Sequence, residues 1–125
     1  MKEYVTWEDV EKYIDSVAER LQGVEVSGIF TFPRGGLVLA TLLSYKLHVP
    51  ILTSPCKNCI IIDDICDTGI TMKKYSDLKD EKNYFITTMY IQDSQLKEKA
   101  DFNCTVDYFE NVKYDNWIVF PWERE

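Results

Sequence analysis

Ile60-Ile61-Ile62-Asp63-Asp64-Ile65-Cys66-Asp67-Thr68-Gly69-Ile70-Thr71 is the stretch on which both fold and chemistry turn. Its apolar opening reads as a strand buried on both faces, as in a parallel sheet. Paired aspartates end the strand, and a small, hydroxyl-bearing turn then opens a helix. At such a helix start the backbone amides from about Thr68 to Met72 lack helical partners, and the Thr68 and Thr71 hydroxyls stand beside them. That combination suits a terminal phosphate. Gly69 lets the backbone come close to it. Asp63 and Asp64, just before the phosphate site, can accept hydrogen bonds from neighbouring sugar hydroxyls or hold Mg²⁺ through water, with Asp67 nearer the phosphate. The pattern is that of a site for a phosphorylated, hydroxyl-bearing ligand. A bare Asp-Asp pair would read as an acidic loop capping a helix, but the run from apolar strand through Asp-Thr-Gly to Thr71 is more specific.

Strand and helix alternate on either side. Thr6 to Gln22 reads as an amphipathic helix, with Thr6 as N-cap, Asp9 completing a capping box, and Trp7, Val10, Ile14, Val17 and Leu21 on one face. Gly23 is a natural stop. Val26 to Phe32 is an expected strand, and Pro33-Arg34-Gly35-Gly36 turns into a second helix, Leu37 to Leu47. Val49 to Thr53 and Cys59 to Ile62 are expected strands, Thr68 to Leu78 a helix, and Tyr84 to Ile91 and Cys104 to Phe109 further strands. Trp117 to Trp122 is an apolar tail broken by Pro121. The expected fold class is α/β: a mostly parallel sheet of about five strands with right-handed crossovers and helices on both faces. Ligands of such sheets sit at the carboxyl ends of the strands.

A chain of 125 residues, 46% hydrophobic and 28% charged, has the size and balance of a single globular domain, expected over residues 1–125. Its 21 acidic and 14 basic side chains leave a net charge of −7, so its field repels nucleic acid and acidic membrane surfaces. An anionic substrate must therefore be caught locally, by amides, a few basic groups or a metal ion. No leader-like start or spanning apolar run is present, so a cytoplasmic location with reduced thiols is expected. Cys56 and Cys59 form one C-x-x-C; with no second pair at ligand spacing, it specifies neither zinc nor redox function. There is no Walker loop, no dinucleotide glycine triplet and no closing Glu of a calcium loop. The only histidine, His48, reads as a helix C-terminal residue.

The Ile60–Thr71 stretch resembles the binding signature for phosphoribosyl pyrophosphate of the type I phosphoribosyltransferases. Tyr4-Val5-Thr6-Trp7, Pro33-Arg34-Gly35-Gly36-Leu37, Asn116-Trp117-Ile118 and Pro121-Trp122 resemble corresponding parts of the xanthine-guanine and hypoxanthine enzymes. The resemblance implies a Mg²⁺-dependent enzyme of purine salvage, its partners phosphoribosyl pyrophosphate and a purine base or nucleotide. It further implies that Asp63 and Asp64 engage the ribose hydroxyls and Mg²⁺, and that Thr68, Gly69, Ile70 and Thr71 wrap the 5′-phosphate. Asp67 would accept the base proton and Arg34-Gly35 would form the pyrophosphate loop. Trp117 would stack on the purine while the Ile118 backbone reads its edge. Two departures accompany the likeness: only Ser54 to Asn58 stand where the family inserts a long mobile loop, and Ile91 aligns with its base-binding lysine. A module that binds nucleotide or donor as a sensor, without turnover, is the alternative reading. Exposed Trp and Phe near the C-terminus imply a homo-oligomer.

Overall fold

The computed structural model describes residues 1–32, 35–66, 70–92, 107–112 and 116–123; the side chains of residues 70–72, 92, 111 and 112 lie outside that description. Its elements are β1 (Lys2–Tyr4), α1 (Trp7–Arg20), β2 (Ile29–Thr31), α2 (Gly35–Leu47), β3 (Ile60–Cys66), α3 (Ile70–Asp77), α4 (Lys79–Lys82), β4 (Phe85–Gln92), β5 (Asp107–Val112), β6 (Trp117–Val119) and a 3₁₀ turn at Pro121–Glu123. Among the described residues, β2-β3-β4-β5 form one all-parallel sheet, while β1 and β6 pair in parallel beside it.

Alternation along β3 builds two cores. Ile60 and Ile62 face α1 and α2, meeting Val10, Tyr13, Val17, Leu39 and Leu43. Ile61 faces the other way, with Ile86 and Ile91, against Tyr75 of α3 and the following Leu78. Helices therefore cover both faces, as a buried parallel strand requires. All three isoleucines are fully buried, each contributing roughly 1.5–3 kcal/mol through burial.

Local chemistry explains the helix ends. The Asp9 amide donates to Thr6 Oγ1 at 3.1 Å and the Thr6 amide to Asp9 Oδ2 at 3.0 Å, the expected capping box. His48 follows α2 in the left-handed region, φ 58°, fully in keeping with a helix-terminal role. A polar chain ties α1 to the sheet beneath it. Tyr13 OH and Thr87 Oγ1 are 2.7 Å apart, Thr87 Oγ1 donates to Asp107 Oδ2 at 3.0 Å, and Arg20 pairs with the same carboxylate. Burial, with the Asp107 charge nearby, pushes the Tyr13 phenol far above its ordinary value, so it stays protonated.

Two expectations need correcting, and one strand was not expected. Val49 to Thr53 is not a strand but one parallel bridge, Ile51 to Ile29; Pro50 has no N–H to extend the ladder, and the chain turns back at once. The main sheet shows four described strands, in keeping with the expected mostly parallel α/β sheet. β1 was not foreseen, because three residues exposed along their whole length carry no hydrophobic alternation. Phe120 is not an exposed aromatic: it is 2% exposed, stacked on Trp122 at 4.9 Å and packed on Tyr90.

Candidate active site at the carboxyl ends of the strands

Parallel strands place all their carboxyl ends on one side; β3 does not end at its aspartates as expected but runs on to Cys66, paired with β4, and carries Asp63 and Asp64 just past the end of β2. Both aspartates are half-buried. The Asp64 amide donates to Asp63 Oδ1 at 2.9 Å and the Ile65 amide to Asp64 Oδ1 at 2.8 Å, so each carboxylate is pinned by the next peptide. Burial above all, then the hydrogen bond to the Asp64 carboxyl and its charge, holds the Asp63 carboxyl well above the usual carboxylate range; the Asp64 amide opposes this. Two acids that cannot both ionise cheaply form a ready site for hydroxyl donors or a cation.

The start of α2 closes in from the side. A Cβ on Gly35 would lie 2.1 Å from Asp64 Oδ2, and one on Gly36 would lie 2.0 Å from Thr31 Oγ1. A side chain at either position would have to displace that neighbour. Thr31 in turn donates its hydroxyl to the Ile62 carbonyl at 2.7 Å, tying β2 to β3 immediately before the acids. Thr31 was not singled out in the sequence; a Gly-Gly pair one turn later was the only signal that backbones meet here. The amino end of α2, with its unpaired amides and positive dipole end, therefore abuts Asp64.

Ile70 and Thr71 lie in the first turn of α3, where backbone amides lack helical partners. Arg34, Asp67, Thr68 and Gly69 lie outside the described residues, as do the side chains of Ile70 and Thr71. Trp117 and Ile118 sit on β6. The Trp117 ring is 68% exposed, whereas the Ile118 side chain is buried in the core, leaving only its backbone for recognition. β6 leads into Phe120, which packs on Tyr90, and Tyr90 pairs with Ile65 next to the acids. The tail thus joins the same end of the sheet.

Two further residues lie away from the acids. Ile91 is 6% exposed and packs among Ile61, Cys66, Tyr84 and Ile86. Lys57 lies at the opposite end: the Asn58 amide donates to the Lys82 carbonyl and the Ser27 amide to the Asn58 carbonyl, both before their strands begin. Among the described residues, no group of three His, Cys, Asp or Glu side chains could hold a metal ion. No helix among them is long and apolar enough to cross a membrane.

No family model matches the chain. It is 25% identical over 146 aligned residues to the xanthine-guanine phosphoribosyltransferase of Idiomarina loihiensis, covering 96% of this chain and 86% of that protein. A purine phosphoribosyltransferase from Pyrococcus horikoshii Ot3, of solved structure, is 27% identical and superposes with a TM-score of 0.71 over 99% of this chain and 95% of that one. The Helicobacter pylori xanthine-guanine-hypoxanthine phosphoribosyltransferase shares the fold, with a TM-score of 0.70 at 18% identity over 98% of this chain and 94% of that one.

Proposed function

We propose that this chain, a relative of the type I phosphoribosyltransferases in sequence and in fold, transfers ribose 5-phosphate from phosphoribosyl pyrophosphate to a purine base, releasing pyrophosphate in purine salvage. The observation that carries this reading is the meeting of Asp63, Asp64 and the side-chain-free start of α2 at the carboxyl end of β3. Acids there suit the ribose hydroxyls, and open amides beside them suit a polyphosphate.

In this reading Asp63 and Asp64 bind the ribose, Arg34 and Gly35 the pyrophosphate, and Thr68, Gly69, Ile70 and Thr71 the 5′-phosphate. Trp117 stacks on the base and the Ile118 backbone reads its edge. The bond from the anomeric carbon to the pyrophosphate oxygen breaks as the bond to a purine nitrogen forms, and Asp67 takes the proton that nitrogen loses. Positive charge develops at the anomeric carbon, so orientation and electrostatics do most of the work.

Phosphoribosyltransferases of this kind generally use Mg²⁺, and the donor set fits it. Asp63 and Asp64 offer hard oxygens whose mutual repulsion a cation relieves, and Mg²⁺ commonly takes one or two carboxylates with the rest of its shell from substrate and water. Bound there, it would supply charge neutralisation for the departing pyrophosphate. The whole chain acts as one domain in the cytoplasm, in an assembly of identical chains that covers Tyr4 and Trp7, each at least half exposed.

One observation favours a second reading, a sensor that binds donor or nucleotide without turnover: Ile91 is core, leaving no basic group there for a purine 6-oxo oxygen. Pyrophosphate release from phosphoribosyl pyrophosphate and Mg²⁺ decides between them, run with guanine, hypoxanthine, xanthine, adenine and no base. Base-dependent release, abolished in Asp67→Asn with donor binding retained, is expected of the transferase. Binding without release would establish the sensor.

A further inference from the structure

At the amino-terminal end of the sheet, away from Asp63 and Asp64, Cys56-Lys57-Asn58-Cys59 forms a closed turn. The Cys59 amide donates to the Cys56 carbonyl at 3.2 Å and Asn58 is left-handed, φ 68°. Such a turn brings its outer Cα atoms within about 7 Å, and disulfides span about 4.4–6.8 Å between Cα atoms. The turn is braced from both sides. Ser27 Oγ donates to the Lys57 carbonyl at 2.8 Å and lies 3.3 Å from Cys56 Sγ, while Asn83 Nδ2 donates to Asn58 Oδ1 at 2.8 Å.

The two thiols differ as an attacking and a resolving thiol must. Cys56 is exposed; Cys59 is 1% exposed but lines a crevice of about 320 Å³ with Asn58, Lys79, Asn83 and Tyr84. Burial pushes the Cys59 thiol up, with a backbone hydrogen bond from Cys56 opposing it, so the first attack falls to the exposed Cys56. Among the described residues, no third His, Cys, Asp or Glu gathers with the pair into a metal-ligand group.

We infer that Cys56 and Cys59 form a redox-modification site that closes reversibly to a disulfide by exchange with low-molecular-weight disulfides. The Cys56 thiolate attacks one sulfur of the small disulfide, forming a mixed disulfide and releasing one thiol. Cys59, giving its proton to solvent, then attacks the Cys56 sulfur and releases the second thiol. The protein pair loses two electrons and two protons, and the small disulfide is reduced to two thiols.

The test uses the full chain equilibrated in glutathione buffers of increasing oxidised fraction, acid-quenched, alkylated and mapped by mass spectrometry. The expected result is loss of two hydrogens confined to the peptide carrying Cys56 and Cys59, with a midpoint independent of protein concentration and full reversal by dithiothreitol. In Cys56→Ser, Cys59 should alkylate fully at every ratio. Three results would each overturn the inference: both thiols remaining free throughout, a persistent glutathione adduct on Cys56, or a disulfide mapping to Cys66 or Cys104.

Discussion

The Asp64 carboxylate occupies the space that a side chain on Gly35 would need, 2.1 Å from where that Cβ would stand. This contact locks the start of α2 to the end of β3. Gly35→Ala must therefore displace either the helix start or the acid. Displacing this half-buried carboxylate costs up to about 1–3 kcal/mol. Pyrophosphate release should fall at least tenfold while circular dichroism still reports a folded chain; wild-type activity in the variant would show that Asp64 is free to move.

Asp63 supplies the pH prediction. An unfolded aspartate titrates near 3.9, and the folded carboxyl titrates well above that because of burial and Asp64. A raised folded value means stability is fully present below about pH 4 and is lost as pH rises toward the folded value. Each unit of difference is about 1.4 kcal/mol. Asp63→Asn removes the titration, so the variant should gain about 1–3 kcal/mol over wild type at pH 8 and little at pH 4 in denaturant melts. A gain equal at both pH values would refute the assignment.

Tyr13→Phe tests the clamp between α1 and β4. Its hydroxyl lies 2.7 Å from Thr87, which keeps Asp107 as a second partner, so only one buried hydrogen bond disappears. The expected loss is about 1 kcal/mol, read from the denaturation midpoint with an unchanged slope.

Ile91→Lys separates alignment from packing. With Ile91 6% exposed in the core beside Tyr84 and Ile86, an ammonium there is buried without a partner. Destabilisation of about 3 kcal/mol or more is expected, with no gain in base-dependent release. A stable variant with raised activity would mean that position 91 faces the base after all.

Much of this was legible from local signals. The run Ile60-Ile61-Ile62 announces a strand covered on both faces, and Thr6 with Asp9 announces where α1 begins, because both depend on neighbours within a few residues. The acids in the carboxyl half of β3 could be read for the same reason. Thr31 could not: its hydroxyl matters only because the Ile62 carbonyl, 31 residues away, stands 2.7 Å from it. Likewise Lys57, near the acids in sequence, lies at the far end of the strand from them.

By itself the sequence determined the alternation of strand and helix, the two-faced burial of β3 and the presence of acids before a helix-opening turn, since periodicity and capping are properties of short segments. Only the tertiary structure decided that Gly35 must remain bare beside Asp64, that Ile91 is core rather than ligand-facing, and that the cysteine pair sits at the opposite end from the acids. Each of these depends on which strands become neighbours and at what register, and that is set by packing across the whole sheet.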